Sequence, residues 1–308
     1  MGTPDFAVAS LDAVCKAGFD VAAVVTVPDR KVGRGQKVAF SPVKNYAVEN
    51  SLLLLQPEKL RDVSFLSQLR ALDADLFVVV AFRMLPQEVW SMPPMGTFNL
   101  HASLLPQYRG AAPINWAIIN GERETGVTTF MLNEKIDEGG ILMQQSTPIL
   151  PSDNAETLHD RLAAIGAPMV VDTIQGLASG KLKPQPQPKS DGLNPAPKIF
   201  RDDCTINFEK KGVDIINFVR GLSPYPAATM TMADDEGSNH LFKVYDVFFE
   251  ADSNSVAGVV KSDGKSFLKV GCKDGYVYIS SLQIEGKRRN STEDFLRGSR
   301  VMHWEISI

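Results

Sequence analysis

Along the first two-thirds of the chain, short apolar runs alternate with stretches whose apolar positions recur every three or four residues. Val21 to Thr26, Leu52 to Leu55 and Leu76 to Val80 are runs of the first kind, partly β-branched, as strands buried on both faces require. Phe6 to Ala17, Val43 to Val48 and Val63 to Leu69 lie between them with helical spacing. Thr97 to Leu100 and Val127 to Leu132 extend the strand series, and Thr157 to Leu177 reads as a longer closing helix. This alternation predicts an α/β fold, a Rossmann-like and mostly parallel sheet with helices on both faces. Ligands of such sheets bind beyond the carboxyl ends of the strands.

After Leu182 the texture changes. Prolines 184, 186, 188, 195 and 197 fall among Lys, Gln, Ser and Asn, a composition that buries little and cannot continue a helix. Beyond them a helix is predicted over Val213 to Arg220. Short alternating runs follow at Phe242 to Phe249, Val256 to Val260, Phe267 to Val270 and Tyr276 to Ile284, separated by turns such as Ser262-Asp263-Gly264 and Lys273-Asp274-Gly275. The expected organisation is an α/β domain over 1–182, a Pro-rich linker over 183–200, and a small β-barrel of the OB type over 201–308.

Composition narrows the class. Of 308 residues, 44% are hydrophobic and 22% charged, which excludes a disordered or collagen-like chain. The longest apolar runs fall far short of the roughly 20 residues of a membrane span. No basic and apolar leader opens the chain, so the expectation is a cytoplasmic protein without membrane association. A monomer is expected, although nothing in the sequence itself sets the oligomeric state. Three scattered cysteines and four scattered histidines suggest neither a disulfide framework nor a metal site. With 32 basic and 36 acidic residues the net charge is −4, so any polyanionic partner has to be met by a local basic patch.

Chemistry concentrates between Thr97 and Leu142. Asn99 and His101 are two apart on a strand and point to one face. Ser103-Leu104-Leu105-Pro106 makes a turn at the sheet's carboxyl edge, and Arg109-Gly110-Ala111-Ala112-Pro113 opens a helix. Asp137-Glu138-Gly139-Gly140 lies in a loop between two later strands and can return to the same edge. An amide, an imidazole and a carboxylate at one place suit acyl or formyl transfer: Asn99 donates to an oxyanion, His101 supplies or holds a proton, and Asp137 orients the imidazole. No serine or cysteine nucleophile stands out, which favours direct attack by a substrate amine. The same residues also read as an ordinary strand-end histidine and a turn-forming aspartate.

Asn99-Leu100-His101, Ser103-Leu104-Leu105-Pro106 with Tyr108-Arg109-Gly110, and Asp137 together resemble the folate-dependent formyltransferases. The resemblance implies 10-formyltetrahydrofolate as donor, an amine as acceptor and no metal. It implies Asn99, His101 and Asp137 as the catalytic set and Ser103, Leu104, Leu105 and Pro106 as folate contacts. Phe82, Arg83, Met84 and Leu85, before Pro86, match the neighbouring folate loop in a form one residue shorter than the common pattern.

Two features resemble the members of that family that formylate methionyl initiator tRNA. One is the basic run from Arg30 to Lys44, with Arg30, Lys31, Arg34, Lys37 and Lys44 and no acidic residue, a loop suited to a phosphate backbone. The other is the C-terminal region, with Lys198-Ile199, Leu222-Ser223-Pro224-Tyr225-Pro226 and the cluster Lys287, Arg288 and Arg289. Each basic group also reads as a solvated loop or turn. A sugar-nucleotide N-formyltransferase is the alternative, and it has no need of the basic run. The resemblance further implies an apolar strand ahead of Gly2-Thr3-Pro4, so Met1 is expected to be an internal methionine of a longer chain.

Overall fold

The structure, a computed structural model, describes residues 1–32, 37–189, 191–299 and 304–306. Helix α1 (Asp5–Lys16) precedes β1 (Val24–Val25), and a hairpin of β2 (Arg30–Val32) and β3 (Lys37–Ala39) leads into α2 (Pro42–Glu49). Then come β4 (Leu54–Leu55), α3 (Val63–Ala71), β5 (Phe77–Val80), α4 (Gln87–Trp90) and β6 (Thr97–His101). They are followed by α5 (Pro113–Ile119), β7 (Glu124–Met131), β8 (Ile141–Pro148) and α6 (Ala155–Ala178). Local chemistry sets several starts. Ser41 Oγ accepts the Lys44 N–H at 3.0 Å with Pro42 in the first turn of α2, and Asp62 accepts the Phe65 N–H at 3.1 Å to begin α3.

The chain divides into two units. The first comprises Met1–Gly110, Glu124–Pro148 and His159–Pro195. In it β1 pairs with β4 and β5 with β6, both parallel, while β6·β7 and β7·β8 are antiparallel. The sheet is thus Rossmann-like on its parallel side and turns antiparallel beyond β6, an orientation that an apolar run alone does not encode. The β5–β6 register puts Phe77 and Val79 on one face and Val78 and Val80 on the other. Phe65 and Leu69 of α3 cover the first face. Helix α6 covers the second, with Gly166 against Leu100 and Thr173 bonded to Thr129 at 2.9 Å. Helices therefore lie on both faces, as the alternation predicts.

Residues 1 and 2 lie between β1 and β5. Gly2 donates to Val25 O at 3.0 Å, Met1 O accepts from Val80 N at 2.9 Å, and the α-amino group donates to Val78 O at 2.7 Å. An apolar cleft of about 420 Å³ adjoins them, lined by residues such as Val24, Phe77 and Val78. It contains none of Asn99, His101 and Asp137.

The second unit comprises Ala111–Arg123, Ile149–Leu158 and Ala196–Ile308, and so is not confined to the stretch beyond residue 200. Its elements after α5 are α7 (Gly212–Leu222), β9 (Ala228–Ala233), β10 (Asn239–Ala251), β11 (Val260–Ser262), β12 (Leu268–Cys272) and β13 (Gly275–Ile284). They end with β14 (Asn290–Ser291), α8 (Thr292–Gly298) and β15 (Glu305–Ile306). Among the described residues the strands run antiparallel in the order β11-β12-β13-β10-β9-β15, with β14 on β13, curling into a nearly closed barrel. Ile215, Val219 and Leu222 of α7 bury into a core with Met230, Phe242, Leu268 and Ile279, each such side chain contributing roughly 1.5–3 kcal/mol. Asn115 of α5 donates to Gly221 O at 2.7 Å. The run at Val256 to Val260 enters β11 only at Val260; ahead of it Gly258 N donates to Gly271 O and Val259 O accepts from Gly271 N, each at 2.9 Å, and the Val256 and Val259 side chains are exposed.

Candidate active site

His101 ends β6 and is buried. Its Nε2 lies 2.8 Å from Tyr108 O, and a carbonyl only accepts, so Nε2 carries the proton and donates. Nδ1 is therefore the nitrogen left for chemistry, and Asp137 Oδ2 stands 3.9 Å from it. That distance is too long for a hydrogen bond, so the carboxylate acts on the ring as a charge. Asp137 Oδ2 itself accepts the Gly110 N–H at 2.9 Å. The His101 and Phe130 rings meet edge to face, with centroids 6.4 Å apart.

Asn99 shares the strand face of His101. Its Oδ1 is buried without a hydrogen-bond partner, which costs free energy unless a substrate N–H completes it. The sequence-predicted catalytic residues thus gather in the first unit, at the carboxyl end of β6 and the loop between β7 and β8.

That end is shaped by backbone held in unusual conformations. Tyr108 and Asp137 have φ of +58° and +54°, left-handed values that side-chain-bearing residues rarely adopt. Gly110, at φ +127°, lets the chain turn so that its N–H meets Asp137. Gly139 passes so close to Met131 O that a Cβ would lie 1.6 Å from it.

The expected folate contacts fall into two groups. Ser103 and Leu105 are buried; Ser103 Oγ donates to Gln107 O at 2.7 Å, and Thr128 Oγ1 bridges Ser103 O and Leu105 N. Gln144 adds a bond to Leu105 O at 2.9 Å, so β7 and β8 pin the turn of Ser103, Leu104, Leu105 and Pro106. In the other loop, Phe82 is half-buried, Met84 is exposed, and Leu85 is buried in the core beside Val25 and Phe65. Arg83 donates to Pro57 O and to Glu58 O, and desolvation lowers its pKa. Leu85 and Arg83 therefore have structural work of their own.

Of the basic run, Arg30 and Lys31 lie in β2 and Lys37 in β3, so the base of the segment is a hairpin where a loop without regular structure was expected. The alternation Lys37-Val38-Ala39 suffices for that ladder. Arg34 lies outside the described residues. Lys44 pairs with Asp29 at 2.5 Å and sits over the Phe40 ring, which leaves it less free for a phosphate than its sequence neighbourhood implied.

In the second unit Lys287 and Arg288 are exposed in the turn after β13. Arg289 lies over the Tyr245 ring at 4.4 Å and donates to Ser281 Oγ at 2.7 Å. A row that the sequence did not disclose crosses the same barrel. Phe248 pairs with Tyr278, Tyr278 with Lys269, and Lys269 with Lys261. Phe248 stacks on Tyr278 with centroids 4.6 Å apart, and Lys269 lies over Tyr278 at 4.7 Å. Only the strand register, which is a tertiary property, brings these four into line. Among the described residues no group of three or more His, Cys, Asp or Glu is placed to hold a metal, and no helix is long and apolar enough to cross a membrane.

Comparison with known proteins bears on this geometry. Residues 1–174 match the model of a family described as formyl transferase, and residues 198–300 match its C-terminal domain. The chain is 51% identical over 304 residues to a methionyl-tRNA formyltransferase of Parabacteroides distasonis, covering 97% of this chain and 94% of the relative. It is 49% identical over 302 residues to one of Bacteroides fragilis, covering 97% and 93%. Among solved structures, a sugar 3N-formyl transferase determined in the presence of dTDP and 5-N-formyl-THF superposes with a TM-score of 0.64 at 22% identity. It covers 93% of this chain and 97% of that one, a likeness of fold.

Proposed function

The chain belongs to the formyl transferase family, and on that premise we propose that it transfers the formyl group of 10-formyltetrahydrofolate to the α-amine of methionyl initiator tRNA. The chemistry is carried by one observation. His101 has its Nε2 committed to Tyr108 O and presents Nδ1 toward Asp137 in a buried setting. The neutral ring has its lone pair on Nδ1, where it accepts a proton from an amine attacking the formyl carbon, and Asp137 stabilises the imidazolium so formed. The tetrahedral adduct then collapses with cleavage of the bond from the formyl carbon to N10 of the donor, and the imidazolium returns its proton to N10 as tetrahydrofolate leaves. Asn99 supplies both halves of an amide: Nδ2 donates to the carbonyl oxygen as it gains charge, and the unpartnered Oδ1 accepts an N–H of the incoming amine. This donor set fits a small neutral one-carbon group. Ser103 to Pro106 and Phe82 to Leu85 are the proposed folate contacts.

The names of the relatives support methionyl-tRNA as acceptor. Two basic regions support it independently, each in its own unit. One is the β2–β3 segment of the basic run, with Arg30, Lys31, Arg34 and Lys37, and with Lys44 beyond it. The other is on the barrel, where Lys269 lies over Tyr278 in a row with Phe248 and Lys261, and where Arg289 lies over Tyr245 in the segment that also carries Lys287 and Arg288. Aromatic planes beside cations suit bases and phosphates together.

The test measures formyl transfer from 10-formyltetrahydrofolate to methionyl initiator tRNA, with methionyl elongator tRNA and an amino-sugar nucleotide in parallel. Formylation of the initiator alone is expected. Turnover of the amino sugar alone would overturn the acceptor assignment while keeping the chemistry.

A further inference from the structure

The Pro-rich stretch after α6 reads in sequence as a passive connector, yet it is bonded to Asp137 and to Tyr108, the residue whose carbonyl holds His101. Gln185 exchanges both backbone hydrogen bonds with Ile141, at 2.7 and 2.8 Å. Gln187 Nε2 then donates to Asp137 O at 2.8 Å and to Gly139 O at 2.9 Å. Its Oε1 accepts from Arg109, with Nη2 at 2.7 Å and Nε at 3.2 Å. Arg109 reaches on to Glu138 at 3.3 Å. Farther along, Asn194 O accepts the Tyr108 N–H at 2.7 Å, and Asn194 N donates to Gln107 Oε1 at 2.9 Å.

The anchor points are the informative part. Tyr108 and Asp137 are the two left-handed residues of the site, and for Tyr108 that conformation is not one its residue type favours. Tyr108 is the residue whose carbonyl fixes the His101 ring, and Asp137 supplies the facing carboxylate. Each is tied by its backbone to the same stretch. One side chain, Gln187, saturates its amide on the Asp137 loop and on the Arg109 turn at once.

We propose that the described residues 183–189 and 191–195 form a strap that sets the His101–Asp137 geometry, with Gln187 as a positioning residue for Asp137. The proposal rests on the formyl-transfer reading of the same site. Gln187 touches no reacting atom; it holds the Asp137 carbonyl, and through it the carboxylate, in register with Nδ1.

The experiment compares Gln187→Ala, Gln187→Glu, Asp137→Asn and the double variant Gln187→Ala/Asp137→Asn in the full chain. Small misplacements of a catalytic group cost up to about 100-fold, so Gln187→Ala is expected to lower kcat about 10- to 100-fold with both KM values nearly unchanged. Gln187→Glu keeps the acceptor for Arg109 but loses both donations to carbonyls, and is expected to be as slow as Gln187→Ala. Wild-type kcat in Gln187→Glu would overturn the proposal, since Gln187 would then serve Arg109 alone. The double variant should be no slower than Asp137→Asn, because the residue acts through Asp137; a further tenfold loss would overturn it too. Hydrogen exchange at the Gly110 amide, which donates to Asp137, should quicken in Gln187→Ala, and an unchanged rate would count against the strap. That readout needs no turnover. A wild-type chain that fails to formylate methionyl-tRNA would refute the function while leaving the strap open to this test.

Discussion

Asp137→Asn isolates the charge beside the proposed base. The substitution leaves an amide oxygen to accept the Gly110 N–H, now at 2.9 Å from the carboxylate, and changes the volume little. What disappears is a negative charge 3.9 Å from His101 Nδ1, in a pair whose side chains are only 8% and 13% exposed. Coulomb's law at an effective dielectric of about 20 gives about 4 kcal/mol for a complete imidazolium at that distance. A proton half-transferred in the transition state would feel about half of it, so about 2–4 kcal/mol is at stake. At 1.36 kcal/mol per tenfold, kcat should fall between about 30-fold and about 1,000-fold. Single-turnover formylation at saturating donor and methionyl-tRNA measures this, with urea unfolding run alongside. A kcat within threefold of wild type, in a variant that binds both substrates and unfolds normally, would refute a charge role for Asp137.

Other consequences are open to equally direct tests. Replacing Lys261 and Lys269 by Ala should weaken tRNA binding and flatten its log–log dependence on salt by about one unit for each phosphate no longer neutralised, leaving folate binding unchanged; an unaltered slope would remove this face from the interface. Gly139→Ala drives a Cβ into Met131 O and should destabilise the first unit by at least about 2 kcal/mol in urea, and a stable, active variant would show that the loop has room. Asp263 is held well below its ordinary value of 3.8, first by the Ser266 hydroxyl and then by the Ser266 and Lys265 N–H groups. A depressed carboxylate stabilises the β11–β12 turn above pH 4 and loses that contribution as the pH falls toward the folded value. NMR titration should therefore show no Asp263 midpoint between pH 3 and 5, and Ser266→Ala should raise the midpoint.

The fold was legible where burial and period coincide. Phe77 to Val80 is apolar because both faces are covered, and α3 and α6 were legible by their spacing, while the Asp62 and Asn154 caps that begin them became visible only in the structure. Strand direction was not legible, since the turn to antiparallel at β7 leaves no trace in composition. Asn99, His101 and Asp137 were legible as chemical types at a sheet edge. Gln187 was not, because it stands 50 residues from the loop it holds and its neighbours read as a linker. The aromatic–lysine row of the barrel stayed hidden for a related reason: its members are spread over four strands, and alternation tells which way a residue faces but not whom it meets.

The segment Ala111–Arg123 belongs to the second unit although the first unit's residues flank it on both sides. Its helix is tied to α7 by Asn115, and Ala117 and Ile118 are completely buried. The two units are therefore not cassettes in the sense of protein engineering. A chain cut at the Pro-rich stretch would carry a helix stripped of the α7 it packs with, and a barrel grafted from a relative at that cut would arrive without its own α5. Modular exchange between relatives would have to move 111–123 and 149–158 together with the barrel, and recombination breakpoints compatible with folding should avoid separating them.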